Sequence, residues 1–215
     1  MFWIIPCIIS ILLLIVIADW LIIGFAKPVR GMEKCAKEYL LKMPNRMAYQ
    51  KSTECSGFST AYVLRSFGIE ADGNDVYAKI KRKMKNGAVM PRALKKEMQG
   101  YTFGSKDYTT EGQSCTFKAE YVKGSLKSLK KDLSNGKRII VFIKTRLDKK
   151  WLHYVPIVGY DEENVFIAES LTYLTNCDEE YYNRKLSKQD FLKYWDTREW
   201  YMPFYKNTYL RIDKK

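Results

Sequence analysis

The stretch Gln50-Lys-Ser-Thr-Glu-Cys-Ser-Gly57 is polar and leads directly into an apolar-periodic segment. That segment, Phe58-Ser-Thr-Ala-Tyr-Val-Leu-Arg-Ser-Phe67, carries apolar side chains at helical spacing and is followed by Gly68. The pattern predicts a mostly buried helix with Gly68 as its C-terminal cap. Cys55 is then expected at the helix N-terminus, where unpaired N–H groups and the helix dipole favour a thiolate over a thiol.

The single histidine of the chain, His153, lies in a second stretch, which predicts a β-hairpin. Trp151-Leu-His-Tyr-Val-Pro-Ile-Val-Gly-Tyr160 alternates in the manner of a strand, and Asp161-Glu-Glu-Asn164 is typical of a turn. Val165-Phe-Ile-Ala-Glu-Ser170 predicts the returning strand. The imidazole is therefore expected on a strand, with a carboxylate following it in the chain.

Cys55 and His153 are the residue types that nucleophilic thiol catalysis requires, and they need to be adjacent only in space. Gln50, five residues before Cys55, carries a side-chain amide that can donate a hydrogen bond to a developing oxyanion. Taken singly, a cysteine at a helix start is more often a small buried hydrophobic residue. It is the combination with a strand histidine that favours a catalytic interpretation.

These motifs resemble a known family. Gln50-x4-Cys55, the strand Leu152-His-Tyr-Val155, Gly159-Tyr-Asp161 and a hydrophobic strand ending in an acid are similar to the papain-like peptidases of cysteine family 39. That family includes the bacteriocin-processing peptidases, which cut leader peptides after a double glycine. The resemblance covers the chain from about Met47 to Leu171 and implies a papain-like fold with a peptide or protein substrate.

The resemblance also implies a role for each matching residue. Cys55 matches the nucleophile, Gln50 the oxyanion donor and His153 the base. Glu169 lies where the family usually has an Asp before Pro, the group that orients the histidine. Asn176, a few residues further on, is an alternative orienting residue.

Two positions depart from the family pattern, because Ser56 follows the nucleophile in place of Gly and Ser170 follows the acid in place of Pro. We interpret the chain as a membrane-anchored cysteine peptidase with a Cys-His-(Glu) mechanism, a role in leader or pro-peptide processing being implied by the resemblance. Two alternatives stay open: an inactive peptide-binding module that kept the fold, and an amide acyltransferase or transpeptidase on the same fold.

Helical patterns come early in the chain and strand patterns late, which predicts an α+β domain in which N-terminal helices carrying Cys pack on an antiparallel sheet carrying His. Arg138–Lys144 is a nearly continuous apolar run, typical of a central strand buried on both faces. Further helices are predicted over 74–85, after Pro91, over 125–133 and from Ser187 to Trp195, and a last strand over 205–212.

The N-terminal segment Phe2–Phe25 contains one charged residue, Asp19. As a helix it would reach about 36 Å, against a hydrocarbon core of about 30 Å. We therefore predict a transmembrane anchor over residues 1–26, a basic linker over 27–46 and the peptidase domain over 47–215. A cleaved signal peptide ending near Gly24-Phe-Ala26 is the competing interpretation, although no basic residue precedes the apolar run.

The basic residues all follow this apolar segment, so the positive-inside rule favours a cytoplasmic domain, an extracellular one being the alternative. With 37 Lys and Arg against 24 Asp and Glu, the formal net charge is +13, which suits an anionic lipid surface. No nucleic-acid-binding module is recognisable, so no nucleic acid partner is expected.

The five cysteines are widely spaced and form no Cys-x-x-Cys pair, which argues against a disulfide framework or a zinc knuckle. With one histidine, no metal site is expected, and no cofactor is implied. No Gly-x4-Gly-Lys motif is present, so any transporter would be a separate partner.

Overall fold

The computed structural model describes residues 4–18, 20–21, 26–29, 35–100, 116–149, 151–199, 202 and 204–214. The strands of this part are β1 (Lys27–Pro28), β2 (Tyr39–Leu40), β3 (Phe117–Lys123), β4 (Arg138–Lys144), β5 (Leu152–Tyr160), β6 (Asn164–Ile167), β7 (Arg184–Ser187) and β8 (Thr208–Lys214). The helices are α1 (Ile4–Ala18), α2 (Cys55–Arg65), α3 (Gly73–Lys79), α4 (Pro91–Gly100), α5 (Leu126–Ser134) and α6 (Lys188–Trp195).

The strands form one eight-stranded sheet in the order β1-β3-β8-β4-β5-β6-β7, with β2 paired to β5. All pairings are antiparallel except that of β1 with β3. The predicted α+β class is therefore confirmed. Strands β1 and β2 lie within the segment predicted as a linker, so residues of that segment contribute to the sheet.

Helices cover both faces of the sheet, and β4 shows why the chain folds this way. Ile140 and Phe142 pack in one apolar cluster with residues of α2, α3 and α4, whereas Ile139, Val141 and Ile143 pack in another with α5 and α6. Because side chains alternate along a strand, a continuous apolar run is buried only when both faces are covered. The prediction of a central strand buried on both faces is confirmed.

The helix ends follow local capping chemistry. Ser187 accepts a hydrogen bond from the backbone N–H of Asp190 and starts α6, as its sequence predicts. The helix predicted over 74–85 is shorter in the structure. It ends at Lys79, and the backbone of the next residue, Ile80, is extended. The Lys83 ammonium donates to the carbonyl oxygens of Tyr77 and Ala78 at that end, which satisfies groups that would otherwise lack partners.

The apolar N-terminal segment forms α1, whose fifteen residues would span about 22 Å. Within the described ranges, no helix combines the length and the apolar character needed to cross a membrane. The transmembrane anchor predicted over residues 1–26 is therefore not supported by the described part of the chain, which leaves out residues 1–3, 19 and 22–25 of that segment.

Gly57 allows α2 and α3 to approach each other closely, next to the predicted nucleophile. A Cβ at Gly57 would overlap the carbonyl oxygen of Gly73 and the Cβ of Tyr77. A Cβ at Gly73 would in turn come within 2.6 Å of the Phe58 ring. The contact between these two helices therefore depends on the absence of a side chain at both glycines.

We predict that Gly57→Ala lowers the free energy of unfolding by about 1–3 kcal/mol, because the added methyl forces α2 and α3 apart. Gly100→Ala is the matched control, since its added methyl meets no atom within 4 Å. Thermal unfolding followed by circular dichroism should give a lower melting temperature for Gly57→Ala alone. An equal melting temperature in both variants would contradict the close helix contact.

Candidate active site

Cys55 is the first residue of α2 and follows a loop that is stabilised by hydrogen bonds between its own residues. The Glu54 carboxylate accepts a hydrogen bond of 2.7 Å from the backbone N–H of Ser52. Cys55 is half-buried and not in a disulfide, and its Sγ lies 4.0 Å from the carbonyl oxygen of Thr53. Within the described chain its own backbone N–H has no partner, so that donor is open to a ligand.

Helix α2 meets the sheet where β5 carries His153. Ser59, one turn after Cys55, donates a hydrogen bond of 2.9 Å to the carbonyl oxygen of Tyr154, the residue after His153. His153 itself is buried and pairs with Ile143 in the register between β4 and β5. The Cys55 side chain is near enough to the imidazole to raise the pKa of His153, so the structure brings these two residues together.

Glu169 lies just beyond β6 and contacts the other side of the imidazole. Its Oε1 is 2.6 Å from His153 Nε2, and both side chains are removed from solvent, with exposed fractions of 0% and 1%. Since Nε2 is occupied by this carboxylate, Nδ1 is the ring nitrogen left for Cys55. The backbone N–H of Leu171 also donates to Oε1, at 2.8 Å.

Two residues on the far side of Glu169 hold it in place, and sequence reasoning missed both. Arg184 Nη1 donates to Glu169 Oε2 at 2.8 Å, and its side chain is only 3% exposed. Asn183 clamps the Glu169 backbone, accepting from its N–H at 2.6 Å and donating to its carbonyl oxygen at 2.9 Å. No local pattern distinguishes Arg184 among the 37 basic residues, because only the β6–β7 pairing sets it beside Glu169.

The electrostatic balance of this cluster favours a protonated imidazole. Burial lowers the pKa of His153, but the Glu169 carboxylate and the hydrogen bonds with Cys55 and Glu169 outweigh it and raise that pKa to about 9. Burial raises the pKa of Glu169, whereas His153 and Arg184 lower it, and the net shift is downward. The imidazolium and the carboxylate therefore stabilise each other's charged forms.

This pair also contributes to stability in a defined pH range. The pKa of His153 in the folded protein, about 9, lies above the ordinary value of 6.5. Protonation of His153 therefore stabilises the fold fully below pH 6.5, and this contribution is lost as the pH rises from 6.5 through about 9.

Gln50 is tied to the segment that follows Glu169. Its Oε1 accepts from Ser170 Oγ at 2.6 Å, and its backbone N–H donates to the carbonyl oxygen of Ser170 at 2.9 Å. Its Nε2 donates to the carbonyl oxygen of Ser52 at 2.6 Å, which uses one of the two amide hydrogens. The proline that the family pattern would have at Ser170 offers no hydroxyl, so this link follows from the departure.

The alternative orienting residue, Asn176, does not contact the imidazole. Its side chain bonds to the backbone of Lys185, donating to the carbonyl oxygen and accepting from the N–H, each at 2.8 Å. Across the described parts of the chain, no three His, Cys, Asp or Glu side chains converge in a way that could hold a metal ion.

A family model described as "Peptidase_C39 like family" matches residues 41–201 of the chain. A crystal structure of a C39-like peptidase from Bacillus anthracis has a TM-score of 0.55 at 15% identity, covering 84% of this chain and 99% of that one. Xylellain, a cysteine protease from Xylella fastidiosa, has a TM-score of 0.51 at 12% identity, covering 87% of this chain and 90% of that one. ProCathepsin B S9 from Trypanosoma congolense has a TM-score of 0.50 at 13% identity, covering 87% of this chain and 82% of that one.

At these identities the structural likeness concerns the fold, which is shared with papain-like cysteine proteases. A search of curated proteins found no match.

We predict that Glu169→Gln lowers the pKa of His153 from its value of about 9, because the carboxylate that opposes the effect of burial is then absent. His153 is the only histidine of the chain, so its imidazole resonances report this pKa directly in an NMR titration. Glu163→Gln is the matched control, since it removes the same charge from the exposed turn between β5 and β6. Equal His153 titrations in the two variants would contradict the assigned pairing.

Proposed function

Since the chain belongs to the C39-like peptidase family, we propose that it hydrolyses peptide bonds with Cys55 as the nucleophile and His153 as the base. The observation that carries this proposal is the buried 2.6 Å contact of His153 with Glu169, with Cys55 near enough to the imidazole to raise its pKa. A thiol at a helix start, an imidazole beside it and a carboxylate that orients the imidazole are the parts that thiol catalysis needs. The substrate class is a peptide or a protein.

In the proposed acylation step, the Cys55 thiolate attacks the carbonyl carbon of the scissile bond and forms a C–S bond. The carbonyl oxygen becomes an oxyanion, and the backbone N–H of Cys55 donates to it. His153 then gives its proton to the leaving nitrogen as the C–N bond breaks. In the deacylation step, water attacks the carbonyl carbon of the thioester while His153 removes a proton from it. The C–S bond then breaks, the carboxylic acid leaves, and the Cys55–His153 ion pair is restored.

Gln50 is proposed as the second oxyanion donor. Within the described residues, Ser52 takes one amide hydrogen of Gln50, and the other has no partner. The hydrogen bond from Ser170 fixes the amide through its oxygen, which leaves the N–H side for a ligand. Loss of one such donor lowers the catalytic rate by about 10²–10³-fold in other enzymes.

The first test measures whether Cys55 is activated. The intact chain is treated with a limiting amount of iodoacetamide between pH 5 and 9, and the modified residues are identified by peptide mass mapping. We expect Cys55 to react much faster than Cys35 and Cys177 below pH 7, and to slow in His153→Ala, because the imidazolium stabilises the thiolate. Equal rates at the three cysteines would contradict the proposal.

The same preparation then tests peptide hydrolysis, using a panel that includes double-glycine peptides. Cys55→Ser should abolish cleavage, and Gln50→Ala should reduce it about 10²-fold or more while leaving alkylation of Cys55 intact. Lys51→Ala, an exposed neighbour of Gln50, is the control and should keep wild-type activity. Product formed only with an added amine acceptor would instead favour a transpeptidase, and binding without turnover an inactive module.

We further propose that α1 and an adjacent basic cluster attach the protein to an anionic membrane. The large apolar side chains of α1 are exposed, up to 66% for Ile5. Arg92 donates to the carbonyl oxygens of Trp20 and Leu21 at 2.9 and 2.8 Å, which connects this segment to the domain.

The guanidinium groups of Arg82 and Arg92 lower the pKa of Lys96, so these cations lie close together. Such a combination suits apolar insertion beside anionic headgroups.

We expect the protein to float with phosphatidylcholine vesicles that contain phosphatidylglycerol. Arg82→Gln/Lys96→Gln should weaken this binding by roughly 30-fold, at about 1 kcal/mol for each charge near the surface. Lys188→Gln/Lys193→Gln on α6 is the charge-matched control and should bind as the wild type does. Equal binding by both double variants, or no binding by the wild type, would contradict membrane attachment through this cluster.

A further inference from the structure

We propose that Arg184 is a positioning residue that keeps the Glu169 carboxylate charged when His153 gives up its proton. This inference rests on the proposed function, because it concerns the same proton transfer. Among the described residues, the side chain of Arg184 contacts Glu169 and the Tyr194 ring. It acts through Glu169, which lies between it and the imidazole.

Strand pairing places the guanidinium beside the carboxylate. Arg184 is the first residue of β7 and pairs with Ile167 of β6, two residues before Glu169. Its Nη1 lies 2.8 Å from Glu169 Oε2, while Oε1 faces His153 at 2.6 Å. The Tyr194 ring of α6 covers the guanidinium, 5.5 Å from its carbon. The carboxylate is thus shared between two cations that contact different oxygens.

The charges of the four buried or half-buried groups cancel at each stage of the proposed reaction. In the resting state, the Cys55 thiolate and Glu169 carry negative charge, and the His153 imidazolium and Arg184 carry positive charge. In the acyl-enzyme, the sulfur and His153 are neutral, and Glu169 and Arg184 still compensate each other. Without Arg184, the acyl-enzyme would contain a buried carboxylate with no cation, which is strongly unfavourable.

That cost would be avoided only if His153 or Glu169 kept the proton. Arg184 therefore makes His153 a better proton donor to the leaving nitrogen, because the carboxylate no longer depends on the imidazolium for compensation. A papain-like site with a neutral amide in place of Glu169 would not need such a cation. The buried arginine thus fits the carboxylate that stands in the orienting position of this chain.

Once His153 is neutral, Arg184 is the group that can compensate the negative charge of Glu169. Within the described residues, His153 is faced by Cys55 from α2 and by Glu169, and Glu169 is faced by His153 and by Arg184 from β7. Tyr173, in the 3-10 helix Thr172–Leu174, is near both Glu169 and Arg184. Burial and Glu169 raise the pKa of Tyr173, so it is neutral at physiological pH and cannot substitute for the guanidinium.

The test compares Arg184→Gln with Arg184→Lys, which keeps the charge. The pKa of His153 is measured by NMR, and the rate of Cys55 alkylation by iodoacetamide is followed over the same pH range, where it changes as His153 loses its proton. We expect Arg184→Gln to move both transitions to higher pH and to slow peptide hydrolysis at pH 7 about tenfold for each unit by which the His153 pKa rises. Arg184→Lys should stay close to the wild type. Arg146→Gln, which removes an exposed guanidinium paired with Asp148, is the control and should move neither value.

A purely structural role for Arg184 predicts a different result. In that case Arg184→Gln would reduce the fraction of folded protein, but the surviving fraction would show an unshifted His153 pKa and an unshifted alkylation profile. That result would overturn the proposal. The His153 titration requires no turnover, so it tests the role of Arg184 even if the wild-type protein fails to cleave peptides and the proposed function is wrong.

If the unpaired buried carboxylate prevents Arg184→Gln from folding, a second variant keeps the test decisive. Glu169→Gln/Arg184→Gln replaces both charges by amides and should restore folding, because no buried charge is left alone. If the double variant also fails to fold while Arg184→Lys folds, the arginine is needed for packing independently of Glu169. That outcome would likewise overturn the proposal.

Discussion

A carboxylate that is removed completely from water requires hydrogen-bond donors and positive charge, and Glu169 imposes this requirement on the surrounding chain. Three residues meet this requirement: His153 from β5, the backbone N–H of Leu171 just beyond Glu169, and Arg184 from β7. The order β5-β6-β7 in the sheet is what brings these groups to one place. The antiparallel sheet therefore serves as the frame that orients the imidazole.

The proposed nucleophile, Cys55, is positioned beside this frame by helix packing. Helix α2 is held on β5 by the hydrogen bond from Ser59 to the carbonyl oxygen of Tyr154, one turn beyond Cys55 and one residue beyond His153. Its other neighbour, α3, comes close because Gly57 has no side chain. The thiol and the imidazole thus belong to two regular elements, and their relative position is set by contacts that do not involve either side chain. Such support would reduce the reorganisation that the proposed reaction requires.

The loop before Cys55 is bound to the segment after Glu169. Gln50 forms two hydrogen bonds with Ser170, one from its backbone N–H and one at its side-chain oxygen. The proposed oxyanion donor and the carboxylate that orients His153 are consequently held by adjacent residues of the same segment. A displacement of that segment would affect both ends of the site at once. Glu169 and Ser170, which stand where the family pattern has Asp and Pro, are thus both integrated into the hydrogen-bonding of the site.

The sequence by itself determined the α+β class, the buried central strand and the helix that begins at Cys55, because these depend on apolar periodicity and local capping. It also singled out the one histidine and the carboxylate that follows it. Only the tertiary structure decided that Glu169 rather than Asn176 contacts His153, and that Arg184 stands behind the carboxylate. Those contacts join residues through strand register and buried charge, which leave no periodic signal in the chain.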